Sequence, residues 1–299
     1  EAGSGEPSLT INPVTGTLVW DAPGAPGEYN IAFLIIEWRK VDGRWRKLGQ
    51  VTRDMQIVVE DCLNQRPELE VPNDICVEAG ELIDQAIFGW DPDGHPVKIE
   101  AFSEVFQVNP HPASMVPSPA VFQPSSPTNK ASVAFQWQTD CAHVRDQPYQ
   151  VVFKITDQPD NGPPLVQFKT WNIRVVGPAP QWQSAQVDLA TRSSTLTWQD
   201  YACQNAARMQ VWRRVDQFAF EPPECVTGIP EFLGYTLIGE TSIGTTQFLD
   251  TNNGRGLAVG AQYCYRLVAV FPLPGGGESY VSREICLEPI LADAPVITQ

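Results

Sequence analysis

The feature that most constrains this chain is a recurring short segment in which every second residue is apolar. Thr17-Leu18-Val19-Trp20, Tyr29 to Ile36, Met55 to Val59, Val133 to Trp137, Tyr149 to Ile155 and Phe168 to Val176 are of this kind. A period of two is the mark of a strand with one covered face. These segments are rich in β-branched and aromatic residues and are bounded by Gly, Pro, Asn or Asp. No segment has a helical period over three turns; the best candidate, Tyr201 to Val211, reads better as a loop followed by a strand. With 27 Pro and 22 Gly scattered through 299 residues, turns are abundant. Short strands with no alternating helices predict an all-β protein of tandem antiparallel β-sandwiches.

The length suits two or three domains of about 100 residues. A hydrophobic content of 42% is enough to build cores. Two proline-bearing seams, Glu60 to Pro67 and Val175-Val176-Gly177-Pro178-Ala179-Pro180, each follow a strong strand and precede a new one. Residues 1–64 are expected to be the rear part of a sandwich whose front half lies elsewhere. Residues 65–177 and 178–290 each have enough strands for a sandwich, and 291–299 reads as the opening of a further domain.

The net charge of −15 argues against nucleic acid and against an anionic membrane surface, both of which call for clustered cations. No apolar run approaches the roughly 20 residues of a membrane span. The first residues lack the basic and apolar regions of an export signal, so any such signal is expected outside this sequence.

Catalytic patterns are sparse. There is no Gly-x-Ser-x-Gly elbow, and His95, His111 and His143 all fall in loop-like sequence. No glycine-rich loop opens a helix to cradle phosphate. The seven cysteines, Cys62, Cys76, Cys141, Cys203, Cys225, Cys264 and Cys286, form no zinc-type CxxC pattern. They read as disulfide staples from an oxidising compartment, and their odd number leaves one thiol free or bonded elsewhere. No Asn-x-Ser/Thr sequon occurs, which tilts the source towards bacteria.

Three stretches resemble known modules. Leu9 to Trp20, with Pro23 and Gly27-Glu28-Tyr29, resembles the Ig-like repeats of bacterial surface proteins. Trp90-Asp91-Pro92-Asp93-Gly94-His95-Pro96-Val97 resembles the DPDGDP(V/L) marker of cadherin-like Ig sandwiches. The seam Val59 to Pro67 resembles the cadherin linker with its second Asp missing. Ser194 to Trp198, Val211 to Val215 and Gly256 to Val270 resemble fibronectin type III, with Val259 where that family has Pro and Tyr263 as its corner tyrosine. This order of modules resembles the large Bacteroidota surface proteins that end in a gliding-motility-associated, type IX secretion (type B) sorting domain. The sorting domain itself is not among these 299 residues.

The resemblance implies tandem Ig-like and fibronectin type III-like sandwiches on the bacterial surface, with a stalk or filament role in adhesion and no catalysis. Its implied partners are neighbouring domains of one long chain, the secretion machinery or other surface proteins. A glycan- or protein-binding module, and an accessory region of an exported hydrolase, are the alternatives. Asp61, Asn64, Asp91 and Asp93 offer hard oxygen donors of the kind that hold structural calcium, with Asp157, Asp160 and Asn161 as further donors; the favoured reading of Asp-Pro-Asp-Gly is turn chemistry, Asp capping its own backbone and Gly taking positive φ. No other cofactor is implied. In a fibronectin type III module Cys264 and Cys286 lie on neighbouring strands and suit a bridge. Cys203 with Cys225, and Cys76 with Cys141, are the remaining intradomain pairs, leaving Cys62 unpaired. Cys62 in place of Cys76, or reduced buried cysteines, are the competing arrangements. Among nine tryptophans most sit where core packing is the default, and Trp38 and Trp45 are the two candidates for stacking on sugar.

Overall fold

The structure is a computed structural model that describes residues 8–12, 15–21, 25–41, 44–59 and 64–291. It divides into two units, residues 1–64 and 65–299.

The first unit consists of two antiparallel pairs. β1 (Ser8–Ile11) pairs with β2 (Leu18–Asp21), and β3 (Gly27–Val41) with β4 (Arg44–Val59). The β3–β4 ribbon is much longer than the sequence pattern marked, because its alternation is blurred by the apolar run Leu34-Ile35-Ile36. Trp20 packs edge-on against Tyr29, ring centroids 4.7 Å apart, and none of the described residues from 8 to 59 is fully buried.

The second unit holds two sandwiches. In the first, β5 (Glu68–Glu70), β7 (Leu82–Trp90), β10 (Ala131–Gln138) and β9 (Ser114–Val116) form one sheet in the order β5-β7-β10-β9. The facing sheet runs β6-β12-β11-β8, from β6 (Ile75–Glu78), β12 (Val166–Val176), β11 (Tyr149–Asp157) and β8 (Val97–Phe102). In immunoglobulin lettering these are A-B-E-D and A′-G-F-C, with the A′–G pair, β6 and β12, parallel. Strict alternation along β10 buries Ala131, Val133, Phe135 and Trp137. Phe135 meets Trp171 edge-on at 5.4 Å and Phe153 at 6.5 Å, while Trp137 meets Tyr149 at 4.9 Å.

The second sandwich stacks β13 (Trp182–Asp188), β14 (Ser193–Trp198) and β17 (Gln247–Asp250) on the sheet β16-β15-β18-β19. Those strands are β15 (Arg208–Val215), β16 (Thr236–Ser242), β18 (Tyr263–Val270) and β19 (Ile285–Cys286). Residues 201–207 are irregular and β15 starts at Arg208. The Ala258 amide donates to the Tyr263 hydroxyl at 3.0 Å, tying the loop before β18 to its first residue. Two polar networks brace this domain. Arg213 forks onto both oxygens of Asp250 at 2.9 Å, and the Tyr265 hydroxyl donates to Asp250 Oδ2. Burial, with the Asp250 charge, pushes the Tyr265 hydroxyl far above the ordinary phenol value, so it stays a donor. Arg266, 3% exposed, donates to the carbonyls of Phe220 and Ser282 and to the Tyr235 hydroxyl.

Candidate functional site

The seam between the two sandwiches is the most heavily constructed place in the second unit. β12 runs straight through Gly177 into Pro178 and Pro180, whose rings fix φ and offer no N–H. Gly177 is required by close approach, since a Cβ there would lie 2.6 Å from the Tyr201 hydroxyl and 2.7 Å from the Phe271 ring. Its backbone is stitched to the second sandwich: Tyr280 N donates to Gly177 O at 2.9 Å, and Tyr201 Oη donates to Pro178 O at 2.9 Å.

Two disulfides cross this seam. Cys76 on β6 is bonded to Cys225, and Cys141 to Cys203, with Cα–Cα distances of 5.6 and 5.3 Å. The intradomain pairs Cys76–Cys141 and Cys203–Cys225 implied at the sequence level are therefore replaced by two interdomain ones. Local structure explains the change. Asp140 caps a 3₁₀ turn over Cys141–His143 that carries Cys141 beyond the end of β10, where the Asn205 side chain donates to its carbonyl at 2.9 Å. Cys225 sits in the irregular stretch between β15 and β16, which Arg266 and Glu284 pin to the sandwich at Phe218 and Phe220. Tyr280 Oη accepts the Cys225 amide, and Arg174 of the first sandwich donates to the Cys225 carbonyl. Cys264 and Cys286 are directly paired across β18 and β19 and bonded, Cα–Cα 4.0 Å. Cys62 and Asp61 lie outside the described residues.

The histidines are accounted for locally. His143 is buried against Trp137 and Tyr149. Its Nδ1 accepts the Asp140 amide at 3.0 Å, so Nε2 carries the proton and donates to Pro110 O at 2.7 Å. Burial holds its pKa below the ordinary imidazole value. His111 occupies the left-handed region, φ 57°. A groove of about 420 Å³ beside the Cys76–Cys225 bridge is lined by Asp74, Arg174 and Glu224, among others. Asp74 is engaged there by the backbone and side-chain N–H groups of Asn172 at 2.9 Å.

Of the residues considered for calcium, Asp91 and Asp157 come together, while Asp93 is taken up by Gln65. Asp93 accepts the Gln65 amide on one oxygen and the Gln65 side chain on the other, both at 2.6 Å, and these bonds hold its carboxyl below the usual range. Asp91 points inward, caps the turn by accepting from the Asp93 and His95 amides, and comes together with His95 and Asp157. Asp160 and Asn161 are exposed beyond the end of β11, and Asp160 is not grouped with them. The sequence marks Asp91 and Asp157 individually as oxygen donors but gives no signal for His95 as a ligand, because three scattered histidines in loop-like sequence form no metal-binding pattern.

Trp38 and Trp45 are 54% and 67% exposed near the end of the β3–β4 ribbon. Trp38 stands opposite Lys47 and Trp45 opposite Lys40, so all four share one face. Arg39 and Arg46 pair on the other face.

These sheets and their order define an all-β protein of tandem Ig-like sandwiches, and no described helix is long and apolar enough to cross a membrane. No protein-family model and no curated protein matches the sequence. Among solved structures, a run of titin domains is 12% identical over 95% of this chain and 84% of that one, with a TM-score of 0.26. The SrpA adhesin of Streptococcus sanguinis is 14% identical over 48% of this chain and 91% of that one, with a TM-score of 0.31.

Proposed function

We propose that the chain is a non-catalytic, load-bearing spacer of an exported bacterial surface protein of the Bacteroidota type IX class, placing adhesive parts away from the cell. The observation that carries this reading is that two bridges join neighbouring sandwiches, where stapling each domain internally would suffice for folding. Disulfides persist in oxidising compartments, in keeping with an extracellular location.

A bridge across the seam alters the load path. A chain pulled from its ends passes from Cys76 directly to Cys225, and the 149-residue separation between them is spared. At ~3.5 Å per extended residue that is about 520 Å of contour length withheld. Single-molecule stretching of the 1–299 chain should therefore give a total contour shorter by about this amount when oxidised than after reduction, with a further ~75 Å from the 22-residue Cys264–Cys286 loop. Equal contours in the two states would remove the basis of the proposal.

A second reading, glycan binding, is favoured by one observation: Trp38 and Trp45 share an exposed face with Lys40 and Lys47. Such a face stacks on pyranose rings and attracts carboxylate or sulfate. Binding to an array of acidic polysaccharides, lost on joint Trp38→Ala and Trp45→Ala replacement, is the expected result. Binding that survives the replacement places the ligand elsewhere.

A further inference from the structure

The Asp91–Pro96 turn closes over the end of β11. Asp157, the last residue of that strand, is in register with Val97, and Gln158 N donates to Pro96 O at 2.9 Å. One ligand-type atom from each of Asp91, His95 and Asp157 lies within 4.8 Å of the other two. Both carboxylates are fully buried, while the His95 side chain is 25% exposed and forms the edge open to solvent.

A second observation bears on what fills this cluster. Asp91 Oδ1 is used by the turn, but Asp91 Oδ2 is buried and receives no hydrogen bond. His95 Nδ1 lies 3.2 Å from Asp91 Oδ1 without the alignment of a hydrogen bond. Lys98, just beyond the turn, pairs with Glu100 at 3.3 Å. A buried carboxylate oxygen without a donor, beside a second buried carboxylate, is costly in a low-dielectric interior. A cation shared by the three groups removes that cost.

We propose that Asp91, His95 and Asp157 hold a divalent ion of the zinc class, which pins the turn to the end of β11. The donor set decides the ion. Calcium takes six to eight oxygens, and here one donor is an imidazole nitrogen while the turn's other acid, Asp93, is occupied by Gln65. Zinc is satisfied by three nitrogen and oxygen ligands, with water in the fourth position on the open side of His95. This site is independent of the load-bearing reading.

The test uses the 1–299 chain carrying Cys62→Ser, which removes the cysteine outside the three bridges, stripped with chelator and titrated calorimetrically with ZnCl₂ and with CaCl₂. One zinc per chain is expected, with a melting temperature that climbs with the logarithm of zinc concentration. The His95 imidazole resonances should shift while those of His111 and His143 stay. His95→Ala keeps the backbone amide that caps the turn and should weaken zinc at least tenfold. Asp157→Asn keeps an acceptor for the Leu165 amide and should do the same. Melting of both variants in chelator, compared with the parent, establishes that they fold. Absence of stoichiometric zinc, zinc binding unchanged in both variants, or calcium bound more tightly than zinc would each overturn the assignment.

Discussion

The β3–β4 ribbon and strand β10 are written in much the same residues and end differently. Along β10 every second side chain is buried between two sheets, and Phe135 and Trp137 have 0% and 1% exposure. Along β3 the run Leu34-Ile35-Ile36 puts apolar groups on both faces, all of them exposed, and Trp38 is more than half exposed. Alternation determines which residues share a face; a second layer determines whether that face leaves water. Apolar residues on both faces are the pattern of a strand covered twice, and within 1–64 the described residues supply no such cover.

The largest expected contrast is in amide hydrogen exchange. A two-stranded ribbon is marginal alone, whereas exchange from a packed sandwich tracks global unfolding. Amides of β3 and β4 should open at least about 5 kcal/mol more easily than those of β10, β11 and β18. Equal protection would mean that the ribbon is covered in solution. Next in size is a pair of truncations. Trp137→Ala should cost about 3–5 kcal/mol in denaturant unfolding, and Trp38→Ala under about 0.5 kcal/mol; similar losses from the two would erase the distinction.

The smallest effect is one of pH, within the sandwich pair. His143 is held neutral, with its pKa depressed by burial from the ordinary 6.5. The unfolded chain therefore takes up the proton first, so this histidine's contribution is complete above pH 6.5 and declines as pH falls from there towards its folded value. Half-buried Glu278 has its pKa raised, chiefly by desolvation, and works in the opposite sense at lower pH. The difference between wild type and His143→Gln isolates the histidine: wild type should lose stability relative to the variant on going from pH 7.5 to pH 5.5. A constant difference would place the ring in solvent.

The all-β class was legible because strand periodicity is local information. β-Branched and aromatic residues at alternate positions, ended by Pro and Gly, required no knowledge of partners. The crossing disulfides were not legible, because they depend on distant arrangements. Cys76 faces Cys225 only because Arg266 gathers the carbonyls of the irregular stretch, and Cys141 reaches Cys203 only because Asp140 and His143 form a reciprocal cap on a single 3₁₀ turn. The turn at Asp91 was half legible. Its Asp-Pro-Asp-Gly spelling marks a turn, but an i, i+2 spacing says nothing about which carboxylate faces inward, nor that the distant strand ending at Asp157 lies beside it.

The two crossing bridges also impose a timetable on maturation. Residues 65–177 contain Cys76 and Cys141 but neither of their partners, which arrive 149 and 62 residues later in the chain. As the polypeptide emerges, that domain must carry two unspent thiols until the next has taken shape. A bond formed early between those two thiols must be exchanged before either crossing pair can close.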